Sequence, residues 1–395
     1  MTRIRDLAAS CFMLLIIALP WSIAPMSIAA VTCGALTLAA MLLPPGGRWQ
    51  ATPVDRPALA WSLSLGLSAV FGLDPGASFP RLGKALFPIL VPLAAFHGSN
   101  RRRGERAMAL LLISSAAASV FGVVLFWAKG ASFAARARGP TGHYMTFGGQ
   151  LLLTTSLAAG VALVARDRRW RLASAGTAAL GAAALACTYT RSAWLGLAAS
   201  LMAMVAAARP RWFPVLAAAL VAIYILVPGD FRTRLHSAFD PGHPNNRERT
   251  LMWEAGARMF RERPLTGVGL QDLRALYPRY RSPAAREIPG HLHSDWVQIA
   301  ASMGIVGLAA FAALYGSLLV AAGSGLRAMI PRSDLAAGLR LGVLAALVGF
   351  LVAGLFEWNF GDEELLYLLY VMVGLAWSAR HWDIGPVAGE DRNAA

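Results

Sequence analysis

The sequence predicts an all-α fold, a polytopic integral membrane helix bundle of about 12 transmembrane helices with one large outer loop that contains an amphipathic helix. Three observations carry this. Of the 395 residues 57% are hydrophobic and only 14% are charged, against roughly 25% charge in a soluble domain. The apolar residues fall in runs long enough for a helix to cross the hydrocarbon of a bilayer. Threading those runs back and forth puts nearly every short basic cluster on one side, as the cytoplasmic excess of Lys and Arg requires.

The first run, 7–24, follows the basic start "RIR" and is read as a retained span and not as a cleaved signal peptide, because a second run, 27–43, follows almost at once. Runs 58–73 and 82–96 come after "GGRWQATPVDR", and "RRRGER" precedes 108–128. "RDRRWR" separates 146–165 from 172–187, and "RPRW" separates 193–208 from 213–227. The last three runs, 295–322, 335–356 and 365–378, have "LRAMIPR" between the first two. With both termini in the cytoplasm all these clusters lie inside; the opposite orientation exports "RRRGER" and "RDRRWR". The expected organisation is therefore a bundle of nine spans over 1–227, a loop domain over 228–292 carrying basic and catalytic residues, three spans over 293–380 and a cytoplasmic tail over 381–395.

The formal net charge of +15 divides in two. Topology explains the inner clusters, so no nucleic-acid partner is expected. The outer loop holds eleven further arginines and calls for an anionic ligand. Within it "RERTLMWEAGARMFRERP" spaces Leu251, Met252, Ala255 and Met259 as one helical face ending before Pro264, suited to lying on the membrane surface. "RPLTGVGL" reads as a helix stop and a glycine turn. Cys11, Cys33 and Cys187 sit in or beside apolar runs without ligand spacing, which predicts packing roles and neither disulfide framework nor zinc.

Three residues stand out. Arg191, in "CTYTRSAWLGL", lies where an unpartnered charge is costly; it either pairs with an acid such as Glu357 or Asp362 or holds phosphate through paired donors. Arg249, with Arg247 beside it, gains weight only from its company, since an exposed helical Arg is usually a solvated charge. His293, in "HLHSDWVQIAASMGIVGL", sits just before a helix capped by Ser294 or Asp295, where a structural cap competes with a general base. His291 is expected to point elsewhere. Arg136, Arg138, His143 and Tyr144 are expected to line a ligand entrance. Glu357, Asp362, Glu363 and Glu364 read as a helix cap or as partners for Arg before they read as a divalent-metal site, and no GxSxG, HExxH or phosphate-loop pattern occurs.

"HLHSDWVQIAASMGIVGL" resembles the hallmark of O-antigen ligases and the related O-antigen polymerases and protein O-oligosaccharyltransferases, through His293, Ser294, Trp296, Gly304, Gly307 and Leu308. Upstream, Arg249, Trp253, Pro264, Gly267 and Gly269 match that family's Arg-x-x-x-Trp and Pro-x-x-Gly-x-Gly segments, and "TYTRSAWLGL" matches its Arg-bearing turn at Arg191. The sequence departs at Ser294, where Asn is common, and at Ser302, where an acid is frequent.

The resemblance implies a multi-pass enzyme of the bacterial inner membrane with a periplasmic active site, using no cofactor and no metal. It would move O-antigen glycan from undecaprenyl pyrophosphate to a sugar of the lipid A core, among membrane lipids. His293 would act as base and Arg191 and Arg249 would steady the pyrophosphate. Arg136, Arg138, His143, Tyr144, Trp253, Arg247 and His291 would contact substrate. A polymerase that extends a second lipid-linked glycan, or a protein O-oligosaccharyltransferase, would use the same donor; the ligase is favoured by the "HSDWVQ" form and by the lack of a soluble domain for a protein acceptor. A transporter of anionic or lipid-linked glycans is the reading from another class, disfavoured because the polar groups gather on one face and no paired halves are visible.

Overall fold

The structure, a computed structural model, describes residues 2–43, 50–227, 229–238, 240–332 and 334–382, and every regular element among them is helical. Most of the expected tail, 383–395, and part of the break after the second run, 44–49, lie outside the described residues. In order the α-helices are α1 Thr2–Ala18, α2 Ile23–Leu42, α3 Asp55–Phe71, α4 Pro75–Ser78, α5 Leu90–Gly98, α6 Arg101–Ala128, α7 Tyr144–Val164, α8 Arg168–Cys187 and α9 Arg191–Ala208. They continue as α10 Phe213–Leu226, α11 Gly229–His236, α12 Pro244–Glu262, α13 Leu273–Tyr280, α14 Asp295–Gly323, α15 Leu326–Met329, α16 Leu335–Ala353 and α17 Glu363–Ala379. A 3₁₀ helix, Phe79–Ile89, joins α4 to α5.

Among the described residues seven segments are long and apolar enough to cross a membrane: α2, Pro75–Gly98, α6, α7, α9, Asp295–Met329 and α16. Helices also occupy the other five positions where the sequence predicts spans, as α1, α3, α8, α10 and α17.

The centre of the bundle is α7 against α16, and small residues allow it. A Cβ on Gly160 would stand 2.3 Å from Gly342 Cα, and one on Gly196 of α9 would stand 2.6 Å from the Gly349 carbonyl oxygen. In hydrocarbon, where apolar surface gains nothing by leaving lipid, such close backbone approach is what holds helices together.

One break positions the site. Gly304 lies inside α14 at φ 63° and ψ −159°, and the glycine turn after α12 fills the gap. Val268 and Gly269 N–H donate to the Ala301 and Ser302 carbonyls at 2.9 and 3.0 Å, and Ile305 and Val306 N–H donate to Pro264 and Leu265 at 2.8 and 3.2 Å. These four bonds give the Ala301 and Ser302 carbonyls and the Ile305 and Val306 N–H groups partners outside the helix. Only glycine fits at the contact, because a Cβ on Gly304 would stand 2.4 Å from the Leu265 carbonyl carbon and one on Gly267 2.1 Å from that of Ser302.

The apolar face of α12 does not lie on a membrane surface, as its amphipathic spacing suggests. Leu251, Met252, Ala255 and Met259 are buried, and Gly256 lets the helix close onto Val297 and Leu292 at the start of α14. With a protein face available, that stripe is buried in a small core shared with α13 through Leu273, Tyr277 and Tyr280.

Candidate functional site

The three singled-out residues come from separate turns that meet beside the N-terminal end of α14. Arg191 is the first residue of α9, after a tight turn in which Tyr189 takes φ 53°. Its guanidinium does not pair with Glu357 or Asp362 but donates to Ser237 Oγ at 3.0 Å, to the Ser237 carbonyl and to Asn246 Oδ1 at 2.9 Å. Asn246 in turn donates to the Ser237 and Asp240 carbonyls, so neutral acceptors hold the arginine and its charge is not cancelled.

Arg249, one helical turn beyond Asn246 on α12, donates to Glu357 Oε2 at 3.1 Å and to the Phe356 carbonyl. The second oxygen of the same carboxylate meets His293 Nδ1 at 2.9 Å. Burial opposes ionisation of Glu357, yet the hydrogen bond from His293 and the charges of His293, Arg249 and His291 outweigh it and hold the carboxyl at about 2. An ionised partner calls for a proton on Nδ1, so in the neutral ring the lone pair is on Nε2. His293 itself takes φ 48°, a cost of about 1–3 kcal/mol for a non-glycine residue. Trp253 donates to the Leu292 carbonyl at 3.0 Å and so fixes the turn in front of it. Ser294 caps α14, accepting from the Val297 N–H. Asp295 is not the cap: it is buried and accepts from the Phe360 N–H at 2.9 Å, tying α14 to the segment that carries Glu357.

Arg136, Tyr144, Arg191, Arg234, Arg249 and Glu357 line one pocket of about 70 Å³. Arg136 stacks 4.2 Å from the Tyr144 ring and 3.9 Å from that of Phe133, and Arg234 also lies over the Phe133 ring at 4.9 Å. Burial, with the charges of Arg191, Arg136 and Arg249, lowers the Arg234 guanidinium to about 10, with Tyr144 opposing; it stays charged at neutral pH. Four cations thus face one carboxylate, itself shared with His293. A doubly charged oxyanion would offset most of that excess.

The remaining expected residues separate. Arg138 and Arg247 are exposed and are not among those lining the pocket. His143 stands at the N-cap position of α7, and its ring shares a 3.3 Å contact with Thr146, whose hydroxyl donates to Asp362 at 2.9 Å. Burial pushes Asp362 up to about 7, against that hydrogen bond. His291 does not point elsewhere: its ring centre is 4.3 Å from that of His293, and burial, then the charges of its neighbours, lowers it to about 4. The strained turn at His293 folds the two rings together.

His291, His293 and Glu357 bring three donor atoms within 4.8 Å of one another, a grouping that can hold a metal ion. Arg249 occupies the same carboxylate, and the set equally makes an oriented base. In the sequence Glu357 reads as a partner for Arg191 or as one of four outer acids, not as the partner of His293, and Arg234 reads as one loop arginine among many. A lone acid 64 residues after His293 carries no spacing signal.

No curated protein matches the chain. Residues 176–312 match the family model described as O-Antigen ligase, a stretch that takes in Arg191, Arg249 and His293 and stops before Glu357. With the seven apolar helices, that match supports a bacterial inner-membrane protein of O-antigen ligase or polymerase type, glycosyltransferase-like, and membership of the O-antigen ligase family.

Proposed function

We propose that the chain is an O-antigen ligase that transfers a glycan from undecaprenyl pyrophosphate to a sugar of the lipid A core at the periplasmic face of the inner membrane. The observation that carries this reading is the junction at Glu357: one carboxylate joins a surplus of arginines on one side to a histidine with a single open nitrogen on the other. That is the pairing a glycosyl transfer to a hydroxyl requires, a proton acceptor beside a sink for phosphate charge.

In the proposed step the acceptor hydroxyl gives its proton to His293 Nε2 while its oxygen forms a bond to the anomeric carbon. The bond from that carbon to the phosphate oxygen breaks, and its electron pair leaves with undecaprenyl pyrophosphate, which Arg136, Arg191, Arg234 and Arg249 receive. Glu357 stabilises the imidazolium that forms, and solvent then takes the proton. Twelve spans, cytoplasmic termini and an outward-facing loop over 228–292 complete the proposal; the fall of the basic clusters on one side supports that orientation.

The test is transfer by purified protein supplied with undecaprenyl-pyrophosphate glycan and lipid A core, with the product resolved on a gel. Wild type should yield glycosylated lipid A core, and His293→Ala should not. A lengthened donor glycan in place of that product would make the chain a polymerase. Chelation should leave the rate unchanged; loss of activity restored by a divalent ion would turn His291, His293 and Glu357 into a metal site.

A further inference from the structure

The 3₁₀ helix Phe79–Ile89 separates two cavities that no step above uses. On one side a groove of about 590 Å³ runs between α2 and the stretch from Gly83 to Leu93, walled by Ala30, Gly34, Leu38, Leu86 and Phe87 and closed by Tyr367 of α17. On the other, a cavity of about 200 Å³ is lined by Arg81 and Lys84, by Gln271 and Gln298, and by the rings of Trp61 and Trp358. The two are back to back. Gly83 faces the groove and Lys84 the cavity, and on α17 Leu366 faces the cavity and Tyr367 the groove.

Aromatic faces beside amide side chains suit a sugar, and Arg81 and Lys84 add a preference for phosphate. Lys84 is anchored by donating to the Gly361 carbonyl, and Arg81 stands 3.7 Å from Asp272. Lining residues of the cavity also flank the proton acceptor along the chain: Gly290 lies three residues before His293, Gln298 accepts from the Leu292 N–H at 2.8 Å, and Trp358 follows Glu357. Glu357 faces the arginine pocket, so the segment 357–358 has the phosphate sink on one side and this cavity on the other. The arginine pocket already serves the donor's pyrophosphate. The charged cavity and its adjoining apolar groove therefore fit a second amphipathic substrate.

We propose that this pair of cavities is the acceptor site: a phosphorylated saccharide lies between Arg81, Lys84 and Trp358, and its acyl chains pass around the 3₁₀ helix that separates the two cavities and lie in the groove beside α2. The proposal rests on the transfer reading above, and it adds that the acceptor is recognised by its lipid as well as by its sugar. A polyprenyl chain in the groove is the competing occupant, and the test separates the two.

Gly34 and Gly83 make the groove testable, because a side chain added at either would meet nothing within 4 Å. Gly34→Leu and Gly83→Leu should fill the space without displacing protein atoms. Binding of radiolabelled lipid A core to the detergent-solubilised full chain is measured first, with the deacylated core oligosaccharide as competitor. Both glycine variants should weaken binding of the acylated probe about fivefold, as the burial of a few methylenes is lost. Arg81→Gln should weaken it about tenfold, and the deacylated competitor as well. Steady-state transfer is measured second: acceptor KM should rise in the glycine variants with donor KM unmoved.

A rise in donor KM alone would give the groove to the polyprenyl chain and overturn the proposal. Acylated-probe binding unchanged in all three variants would overturn it too, even with transfer intact. Binding that follows the expected pattern in a protein that transfers nothing would keep the lipid site and sink the transfer reading.

Discussion

The arginine pocket and the His293 turn share one carboxylate and are built in opposite ways. The pocket draws Arg136, Arg191, Arg234 and Arg249 from four separate segments, steadied by ring faces and neutral oxygens such as Ser237 and Asn246. Its charge is left unbalanced. The His293 side is the reverse: one residue at φ 48°, one 2.9 Å hydrogen bond and an ionised partner fix a single nitrogen. A leaving group that spreads charge over several oxygens tolerates a diffuse cradle, whereas proton transfer needs hydrogen-bond reach. The difference predicts that the two sides respond differently to substitution.

The largest effect is expected at His293. His293→Ala should lower the transfer rate by about 10³-fold or more, with donor binding little changed, as measured by transfer and by labelled-donor binding on the same preparation. Donor affinity falling in step with the rate would put His293 on the pocket side and dissolve the contrast. Arg191→Ala should follow, with a loss on the order of 10²–10³-fold, because it removes one donor to the developing charge and leaves Ser237 and Asn246 without their cation. Here donor binding should weaken as well.

Glu357→Gln tests the hinge between the two. It keeps size and loses charge, so Arg249 and His293 no longer share an anion, and the rate should drop on the order of 10²-fold. It also has a stability signature. The folded carboxyl sits at about 2, below its ordinary 4.5, so its contribution is complete above about pH 4.5 and is lost as the pH falls through 2. With Glu357 only 6% exposed, that contribution is at most about 3 kcal/mol. Thermal unfolding of wild type and Glu357→Gln should therefore differ most near neutral pH and converge as the pH approaches 2. A constant gap down to pH 2 would mean that packing, not charge, holds the residue.

Much of this was legible in the sequence, for reasons that differ along the chain. Apolar runs and basic breaks place the helices because hydrocarbon admits little else. The order of "TRSAW", "RERTLMW" and "HLHSDW" brings Arg191, Arg249 and His293 into one argument through resemblance, and the structure sets them around one carboxylate. What could not be read is whatever depends on how distant segments approach. Glu357 follows α16 in a chain position that reads as a helix end, and only the packing of α14 against that segment, through Asp295 and Phe360, carries it to His293. The face of α12 was misread for the same reason: periodicity says that Met252 and Met259 are buried, and not whether lipid or protein buries them.

The finest distinction lies among the arginines themselves. Composition makes the eleven of the loop equivalent, and the structure does not. Arg234 lines the pocket with its charge partly desolvated, so Arg234→Ala should weaken donor binding by about tenfold, the worth of one charge-assisted contact. Arg247 is exposed on α12, and Arg138 is exposed before α7. Solvent and salt screen both, and Arg138→Ala or Arg247→Ala should change donor affinity by no more than about twofold at physiological ionic strength. Titrating labelled donor against the three variants at two salt concentrations decides the matter. If Arg247→Ala costs as much as Arg234→Ala at both, the anion is held by a broad basic surface, and the contrast between a built pocket and a screened rim fails; if only Arg234→Ala matters, the cradle ends where the aromatic faces of Phe133 and Tyr144 end.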